Sequence, residues 1–143
     1  MPASIDVLLI VDTANTISQN RPIVYMVDDN YPADASVGNE GSNELTINAH
    51  EGDTINWYVI GLVPSIGVSL TQFVQTAGPN NFFSSGPTQQ TNGSWTAVVG
   101  VSPSPGQPPI QATYHFDFTI QGNTTVWQWD PFISVAAATT VTA

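Results

Sequence analysis

Apolar and polar residues alternate with a period of two along most of this chain. The clearest example is residues 113–120, where aromatic or aliphatic residues occupy every second position. Successive side chains of a β-strand point to opposite faces, so this pattern predicts a strand with one buried face. No stretch of a dozen residues has the 3.6-residue period of an amphipathic helix. The residues expected in the core are Tyr114, Phe116, Phe118 and Ile120.

Other strands are predicted from similar alternation or from short apolar runs between turn residues. Residues 7–11 are apolar at every position, which predicts a central strand buried on both faces. Loops rich in glycine, proline or acidic residues are predicted at 28–42, 76–94 and 102–109. This arrangement is typical of an antiparallel β-sandwich, and 143 residues are enough for a single such domain. The predicted strands are 4–13, 23–27, 44–49, 54–60, 68–74, 95–101, 113–120 and 125–135, with Pro131 marking a bulge or edge position in the last.

The charge of the chain excludes several classes of partner and chemistry. There are eleven Asp and Glu residues, no lysine, and Arg21 is the single arginine, which gives a net charge of −10. Nucleic acids and anionic membranes need many Lys or Arg contacts, so neither is an expected partner. The absence of lysine excludes Schiff-base chemistry, and the absence of cysteine excludes disulfides, thiolate nucleophiles and zinc–thiolate sites.

No targeting or membrane-spanning segment is visible in the sequence. The amino terminus lacks a basic region, and the apolar run 7–11 is short and bracketed by Asp6 and Asp12. No apolar stretch reaches the length of about 18 residues that a spanning helix needs. The expected location is the cytoplasm, with release by a non-classical route as an alternative.

The acidic loop after residue 27 is a candidate calcium site. Seven of the eleven carboxylates fall within residues 28–53. Ca²⁺ binds about six to eight oxygen ligands, often from one loop. The loop is not an EF-hand, because Ala33 and Asn39 occupy the turn-glycine and bidentate-glutamate positions. A solvated acidic loop without a metal is the alternative interpretation. The predicted metal ligands are Asp28, Asp29, Asn30, Asp34 and Glu40.

The last predicted strand offers a candidate carbohydrate site. Trp127 and Trp129 share one face of this strand, and Gln128 and Asp130 lie beside them. Core packing is the favoured interpretation of the two indoles. The alternative is an exposed indole that stacks on the C–H groups of a sugar while amides and carboxylates bind its hydroxyls. The predicted ligand-binding residues are Asn43, Glu44, Trp129 and Asp130.

Evidence for catalysis is weak. His115 and Asp117 lie two residues apart on one strand face, about 7 Å from each other, which could seat a metal or an acid–base pair. A polar outer face opposite the core is the favoured interpretation. There is no Gly-x-Ser-x-Gly motif and no carboxylate pair with a specific signal, so an enzyme is not expected.

Three segments together resemble the AidA/PixA family of bacterial proteins, also called the inclusion-body protein family. They are residues 5–13, residues 25–27 with 44–55, and residues 127–135, which contain Trp129-Asp130-Pro131. The resemblance implies a β-rich fold, an association with intracellular inclusions, and no set of catalytic residues. Unlike the methionine-rich members that form inclusions, this chain has only two methionines, which argues against a storage role.

Residues 46–57 are also similar to a hairpin of the copper-binding cupredoxins. Copper in those proteins is held by a thiolate and two histidines. This chain has no cysteine and only His50 and His115, so the likeness extends to sandwich geometry alone.

Together these features predict a non-enzymatic, lectin-like protein that binds carbohydrate, assisted by Ca²⁺ in the acidic loop. The alternative is a structural, stress or inclusion protein that binds no small ligand and acts by self-association. A homodimer is predicted through the strand at 125–135 and the tail at 136–143, because lysine, a common protector of strand edges, is absent.

Overall fold

A computed structural model describes residues 2–29 and 45–137, which form ten β-strands and one short helix. In chain order these are β1 (Ser4–Val11), α1 (Thr13–Gln19), β2 (Val24–Asp28), β3 (Thr46–Ala49), β4 (Thr54–Gly61), β5 (Val68–Ala77), β6 (Phe83–Gln89), β7 (Trp95–Val99), β8 (Ile110–Ile120), β9 (Trp127–Trp129) and β10 (Phe132–Val135). Sheet A has the order β2-β1-β4-β7-β6, and sheet B has the order β3-β10-β8-β5, with β9 also paired to β8. The predicted all-β sandwich is confirmed.

Both sheets are mixed rather than purely antiparallel. The pairs β1–β4 and β3–β10 are parallel, and the remaining pairs are antiparallel. Each parallel pair contains one of the consecutive strands β3 and β4, which lie in different sheets, so the turn at residues 50–53 crosses between the sheets instead of closing a hairpin. Asp53 secures this crossing. Its buried carboxylate accepts hydrogen bonds from the backbone N–H groups of Ala3 at 2.8 Å and His50 at 2.9 Å.

The core lies between the two sheets and is built from the inward positions of the alternating pattern. Tyr114, Phe116 and Phe118 of β8 are fully buried, as predicted. The Phe116 ring lies 5.4 Å from that of Trp57 in sheet A and 6.1 Å from that of Trp129 in sheet B. One aromatic cluster therefore joins the two sheets into a single packed unit.

Strand β1 is internal, between β2 and β4, as the apolar run at residues 7–11 predicts. Its burial is nevertheless unequal on the two faces. Val7, Leu9 and Val11 are fully buried in the core, whereas Leu8 and Ile10 on the opposite face are half-buried. The prediction that this strand is buried on both faces is therefore only half right.

Helix α1 occupies a segment where the sequence predicted no helix. Asp12 begins it, and its carboxylate accepts a hydrogen bond from the Asn15 backbone N–H at 3.1 Å. Asn20 ends it in the left-handed conformation, at φ 50°. With seven residues, the helix is too short for a 3.6-residue period to become visible.

Strand β6 lies inside the predicted loop at 76–94, so that part of the prediction is wrong. The strand contains Gly86 and Pro87, which are unfavourable inside a sheet. It lies at the edge of sheet A, where a proline without an N–H removes no ladder bond, and its register with β7 shifts twice. Gly86 and Pro87 therefore led to a loop prediction for a segment that is an irregular edge strand.

The last predicted strand is divided at Asp130 and Pro131 into β9 and β10. Both parts keep one register with β8, since Phe116 pairs with Trp129 and Thr113 pairs with Phe132. Proline thus interrupts the ladder without inserting a residue. Strand β10 lies between β8 and β3, so it is not the free edge that the dimer prediction assumed. Residues 138–143 of the predicted contact tail lie outside the described residues.

Candidate functional site

The outer face of sheet A carries a compact set of apolar side chains on strands β2, β1 and β4. The register forms two rows across these strands, and each row contains three residues. All six side chains point away from the core, because their sequence neighbours on the same strands are the buried residues. We call this set the apolar array. Its rows are Tyr25–Ile10–Ile60 and Val27–Leu8–Tyr58.

Three of the four corners of the apolar array are exposed, and the fourth, Val27, is half-buried. Tyr25 is 43% exposed, Tyr58 39% and Ile60 41%. The apolar surface continues past the end of β4, where Leu62 is 55% and Val63 44% exposed. Isolated exposed apolar residues are ordinary, whereas a contiguous apolar patch of about a few hundred Å² is often a functional surface.

The same face becomes polar at the next row of the sheet. The Asn56 amide donates to Asp6 Oδ1 and to Ser4 Oγ, each at 3.1 Å, and accepts from Thr96 Oγ1 at 2.8 Å. The Asp29 carboxylate accepts from the Asp6 backbone N–H at 2.9 Å. Polar groups on this half of the face are satisfied within the protein, so the apolar array has a sharp boundary along one side.

The outer face of sheet B is polar throughout the central strand β8. His115 Nδ1 and Asp117 Oδ1 approach to 2.9 Å, without the alignment of a hydrogen bond. Their side chains are only 13% and 15% exposed. The continuous register of β9 and β10 on β8 places the exposed Asp130 level with His115. This arrangement matches the favoured sequence interpretation of a polar outer face.

The predicted calcium ligands are only partly placed by the structure. Asp28 ends β2 on its core-facing side and is 8% exposed, whereas Asp29 is exposed and bonds to the backbone of β1. Together with Asp6, these two residues border a shallow cavity of about 240 Å³. In the described ranges, no three His, Asp or Glu side chains converge on a position for a metal. The predicted metal ligands Asn30, Asp34 and Glu40 lie outside the described residues, as do Asn43 and Glu44, which were predicted to bind carbohydrate.

Trp129 is a core residue and not a sugar platform. It is 5% exposed, its ring stacks on Phe116 at an interplanar angle of 29°, and its indole N–H donates to Met26 Sδ at 3.2 Å. Both the ring face and the polar edge are therefore occupied inside the protein. Its neighbour Asp130 is exposed, so of the predicted ligand-binding residues Trp129 and Asp130, only Asp130 has a side chain available to a ligand.

A polar network lies inside the sandwich around Tyr114. The indole N–H of Trp57 donates to the Tyr114 hydroxyl at 3.2 Å. Burial raises the pKa of Tyr114 far above its ordinary value, because the phenolate would lose its hydration. The Trp57 hydrogen bond opposes this rise, and the negative charge of Asp28 adds to it. The tyrosine is therefore a neutral structural group at all ordinary pH values.

A cleft of about 200 Å³ opens where β4 and β5 face each other. Apolar groups of Val59, Val68 and Leu70 line part of it, and the rest of its lining is neutral and polar. The Gln89 amide donates to the Leu70 carbonyl at 3.0 Å, which links the two sheets. The remaining lining residues are Tyr58, Ser69, Gln89, Asn92, Gly93 and Ser94.

Sequence reasoning missed the apolar array. The sequence does contain a sign of the array in β1, because Leu8 and Ile10 are apolar at positions where an alternating strand would have polar residues. That signal was interpreted as burial by a second layer. The parallel pairing of β1 with β4, which places Tyr58 and Ile60 beside them, could not be derived from the sequence of either strand.

The similarity of this chain to known proteins extends over the whole fold and is not limited to one site. No helix in the described ranges is long and apolar enough to cross a membrane. No curated protein matches the chain. A crystal structure of the inclusion body protein PixA from Burkholderia cenocepacia is similar, with a TM-score of 0.64 at 15% identity, and the match covers 96% of each chain.

That similarity confirms, at the level of fold, the resemblance to the AidA/PixA family that the sequence showed. The model of one family, described as a domain of unknown function (DUF8788), matches residues 3–126. The protein therefore belongs to the DUF8788 family, and its fold is that of the PixA inclusion body protein.

Proposed function

We propose that this protein is a non-enzymatic structural protein that acts by self-association, in the manner of an inclusion protein. The observation that carries the proposal is the apolar array on sheet A. Exposed apolar groups gain free energy when they leave water, at about 25 cal/mol for each Å² buried. A surface with this composition is suited to contact with another protein.

Two further observations support a structural role. The similar PixA structure is that of an inclusion body protein. In addition, the pair of titratable side chains in closest contact, His115 and Asp117, lies half-buried on the outer face of sheet B and lines neither of the two cavities described above. General acid–base catalysis needs such groups to reach a bound substrate.

The net charge of the protein shapes how it would assemble. Each copy carries −10, so copies repel one another at low ionic strength. The Debye length falls from about 10 Å at 0.1 M salt to about 3 Å at 1 M. Association driven by apolar contact should therefore strengthen with salt.

Sedimentation at increasing protein concentration, in low and in high salt, tests this proposal. We expect the mean mass to rise with concentration and to rise further in high salt. A protein that stays monomeric up to about 1 mM, where even weak contacts are populated, would overturn the proposal. Adding EDTA should leave the result unchanged, because the apolar array contains no metal ligand.

Carbohydrate binding is a second candidate, and the cleft between β4 and β5 favours it. Two amides and two hydroxyls surround an apolar wall, and its lining includes no charged side chain. Such a lining suits a neutral ligand with both C–H and hydroxyl groups. The candidate includes the predicted assistance of Ca²⁺, held by carboxylates of the acidic loop.

A glycan array, read with Ca²⁺ and again with EDTA, tests the second candidate. Binding that Asn92→Ala abolishes would place the sugar in the cleft, and binding lost with EDTA would support the calcium site. Gln111→Ala is the matched control, because this amide side chain is exposed on β8 in the other sheet and does not line the cleft. No retained glycan under either condition would exclude this candidate.

A further inference from the structure

We infer that the apolar array is an interface between two copies of this chain, which pack face to face about a two-fold axis. This inference rests on the proposed function, since it names the surface through which self-association occurs. It replaces the interface expected at residues 125–135, because β10 is enclosed by β3 and β8 and both tryptophans of β9 are buried.

The arrangement of side chains within the array favours a second copy as the occupant. The large residues Tyr25 and Tyr58 occupy one pair of opposite corners, and the smaller Val27 and Ile60 occupy the other pair. A two-fold axis parallel to β1 would place Tyr25 opposite Ile60 of the other copy and Tyr58 opposite Val27. An axis across the strands would place Tyr25 opposite Val27 and Tyr58 opposite Ile60. Each large ring therefore meets a smaller aliphatic group in either orientation.

Such pairing is what an isologous interface requires. In a two-fold dimer the same patch is used by both copies and must be complementary to itself. Two sheets can stack face to face at about 10 Å, with side chains of the two faces interdigitating. The middle residues Leu8 and Ile10 would then form the centre of the interface, where water is excluded.

The size of the array sets the strength of the contact. Three strands about 4.8 Å apart and two rows about 7 Å apart cover roughly 200 Å². Leu62 and Val63 extend the apolar surface past β4. Stable protein interfaces bury about 800 Å² on each partner, so this contact is weak for a single pair of molecules. Assembly is consequently controlled by protein concentration, and by salt because of the like charges.

Three of the four outer strands of the two sheets give less favourable routes to self-association, and the fourth, β2, carries Tyr25 and Val27 of the apolar array itself. Strand β6 carries Pro87 and shifted register, and β5 has two irregularities in its register with β8. Strand β3 has only four residues. Such features protect edges from pairing with another chain. The central strand β8 of sheet B presents polar side chains outward, whereas the three strands of the apolar array present apolar ones.

The test is sedimentation equilibrium, in high salt, of the natural protein, a double variant and two single variants of the array, and one control variant. Tyr25→Thr combined with Ile60→Thr removes two exposed corners, and we expect the dissociation constant to rise at least tenfold. Val126→Thr is the control, because Val126 is 54% exposed but lies outside the array, next to β9. Thermal melting of each variant at low concentration verifies that it is folded.

The outcomes separate this inference from the proposed function. If the natural protein associates and the double variant associates equally well, the array is not the interface, although self-association stands. If the natural protein never associates, the proposed function itself fails. If the single variants Tyr25→Gln and Tyr58→Gln both weaken association while Val126→Thr does not, the face-to-face interface is supported.

Discussion

The two outer faces of the sandwich differ in composition although the same alternating pattern builds both. On sheet B, β8 presents threonine, histidine and aspartate to the outside, so its inward and outward residues differ in polarity at each step. On sheet A, β1 presents Leu8 and Ile10 outward beside the tyrosines of β2 and β4. In β8 the alternation separates a buried apolar face from a polar outer face, whereas in β1 the outward Leu8 and Ile10 leave apolar groups that folding only half buries.

The difference also divides sheet A itself. The row of Asn56 and Asp6 is polar and internally bonded, and the next row, with Leu8 and Tyr58, is apolar. Of two adjacent rows on the same strands, one is therefore polar and the other apolar. Such a sharp change within about 7 Å is not needed for the stability of a sheet. It is consistent with a contact surface placed at one end of the face.

The largest effect is expected where the two sheets meet. Phe116→Ala removes a fully buried ring that contacts both sheets and should lower the free energy of unfolding by about 3–5 kcal/mol. If the two faces belong to one cooperative unit, circular dichroism and tryptophan fluorescence will report the same urea transition. Separate transitions for the two probes would show that the faces belong to independent units.

A smaller effect is expected at the crossing between the sheets. Asp53→Ala leaves the backbone N–H groups of Ala3 and His50 without their acceptor and should cost about 1–3 kcal/mol. Urea unfolding at a single pH measures this change. The control Asp130→Ala removes an exposed carboxylate on sheet B and should change stability by less than about 0.5 kcal/mol. Equal effects of the two substitutions would contradict the structural role of Asp53.

The buried tyrosine predicts how stability depends on high pH. Because folding raises the pKa of Tyr114, the folded protein retains a proton that the unfolded chain loses above its ordinary pKa. Stability should therefore be intact below about pH 10 and fall above it by up to about 1.4 kcal/mol per pH unit. Urea unfolding from pH 9 upward measures the slope. Tyr114→Phe should reduce the dependence of stability on pH in this range. An unchanged slope in that variant would mean that other groups cause the loss of stability.

The smallest effects on stability are expected for substitutions in the polar row and in the neighbouring apolar row of sheet A. Asn56→Ala removes the hydrogen bonds of Asn56 to Asp6 and Thr96 and should lower the free energy of unfolding by about 0.5–1.5 kcal/mol in dilute solution. Tyr58→Thr, one row away, should change dilute stability by less than about 0.5 kcal/mol while weakening association. Thermal melting at low concentration combined with sedimentation at high concentration separates the two effects. A large loss of dilute stability in Tyr58→Thr would make the tyrosine a folding residue.

The sequence predicted the parts of the fold that depend on local pattern. Strand β8 and its core residues follow from strict alternation, and the loop at 102–109 follows from its prolines. Strand β6 was missed because an edge tolerates Gly86 and Pro87, and helix α1 was missed because seven residues are too few for a period.

The candidate site was less predictable, because it depends on which strands become neighbours. Tyr25, Ile10 and Ile60 are far apart in sequence and form one row only through the pairing of β1 with β2 and β4. Trp129 was assigned to a ligand although core packing was the favoured interpretation, and the structure buries it. The calcium ligands stay a prediction, because most of them lie in residues 30–44, outside the described ranges.

The most direct test of the central claim is a residue-by-residue comparison of backbone amide signals in dilute and concentrated protein by nuclear magnetic resonance. Concentrations of about 20 µM and about 1 mM bracket the range in which a weak contact becomes populated. We predict that the signals of Leu8, Ile10, Tyr25 and Tyr58 shift with concentration, and that those of Asp117 and Gln128 on sheet B stay fixed. Shifts confined to sheet B, or an absence of shifts on sheet A in high salt, would contradict the assignment of the apolar array as the contact surface.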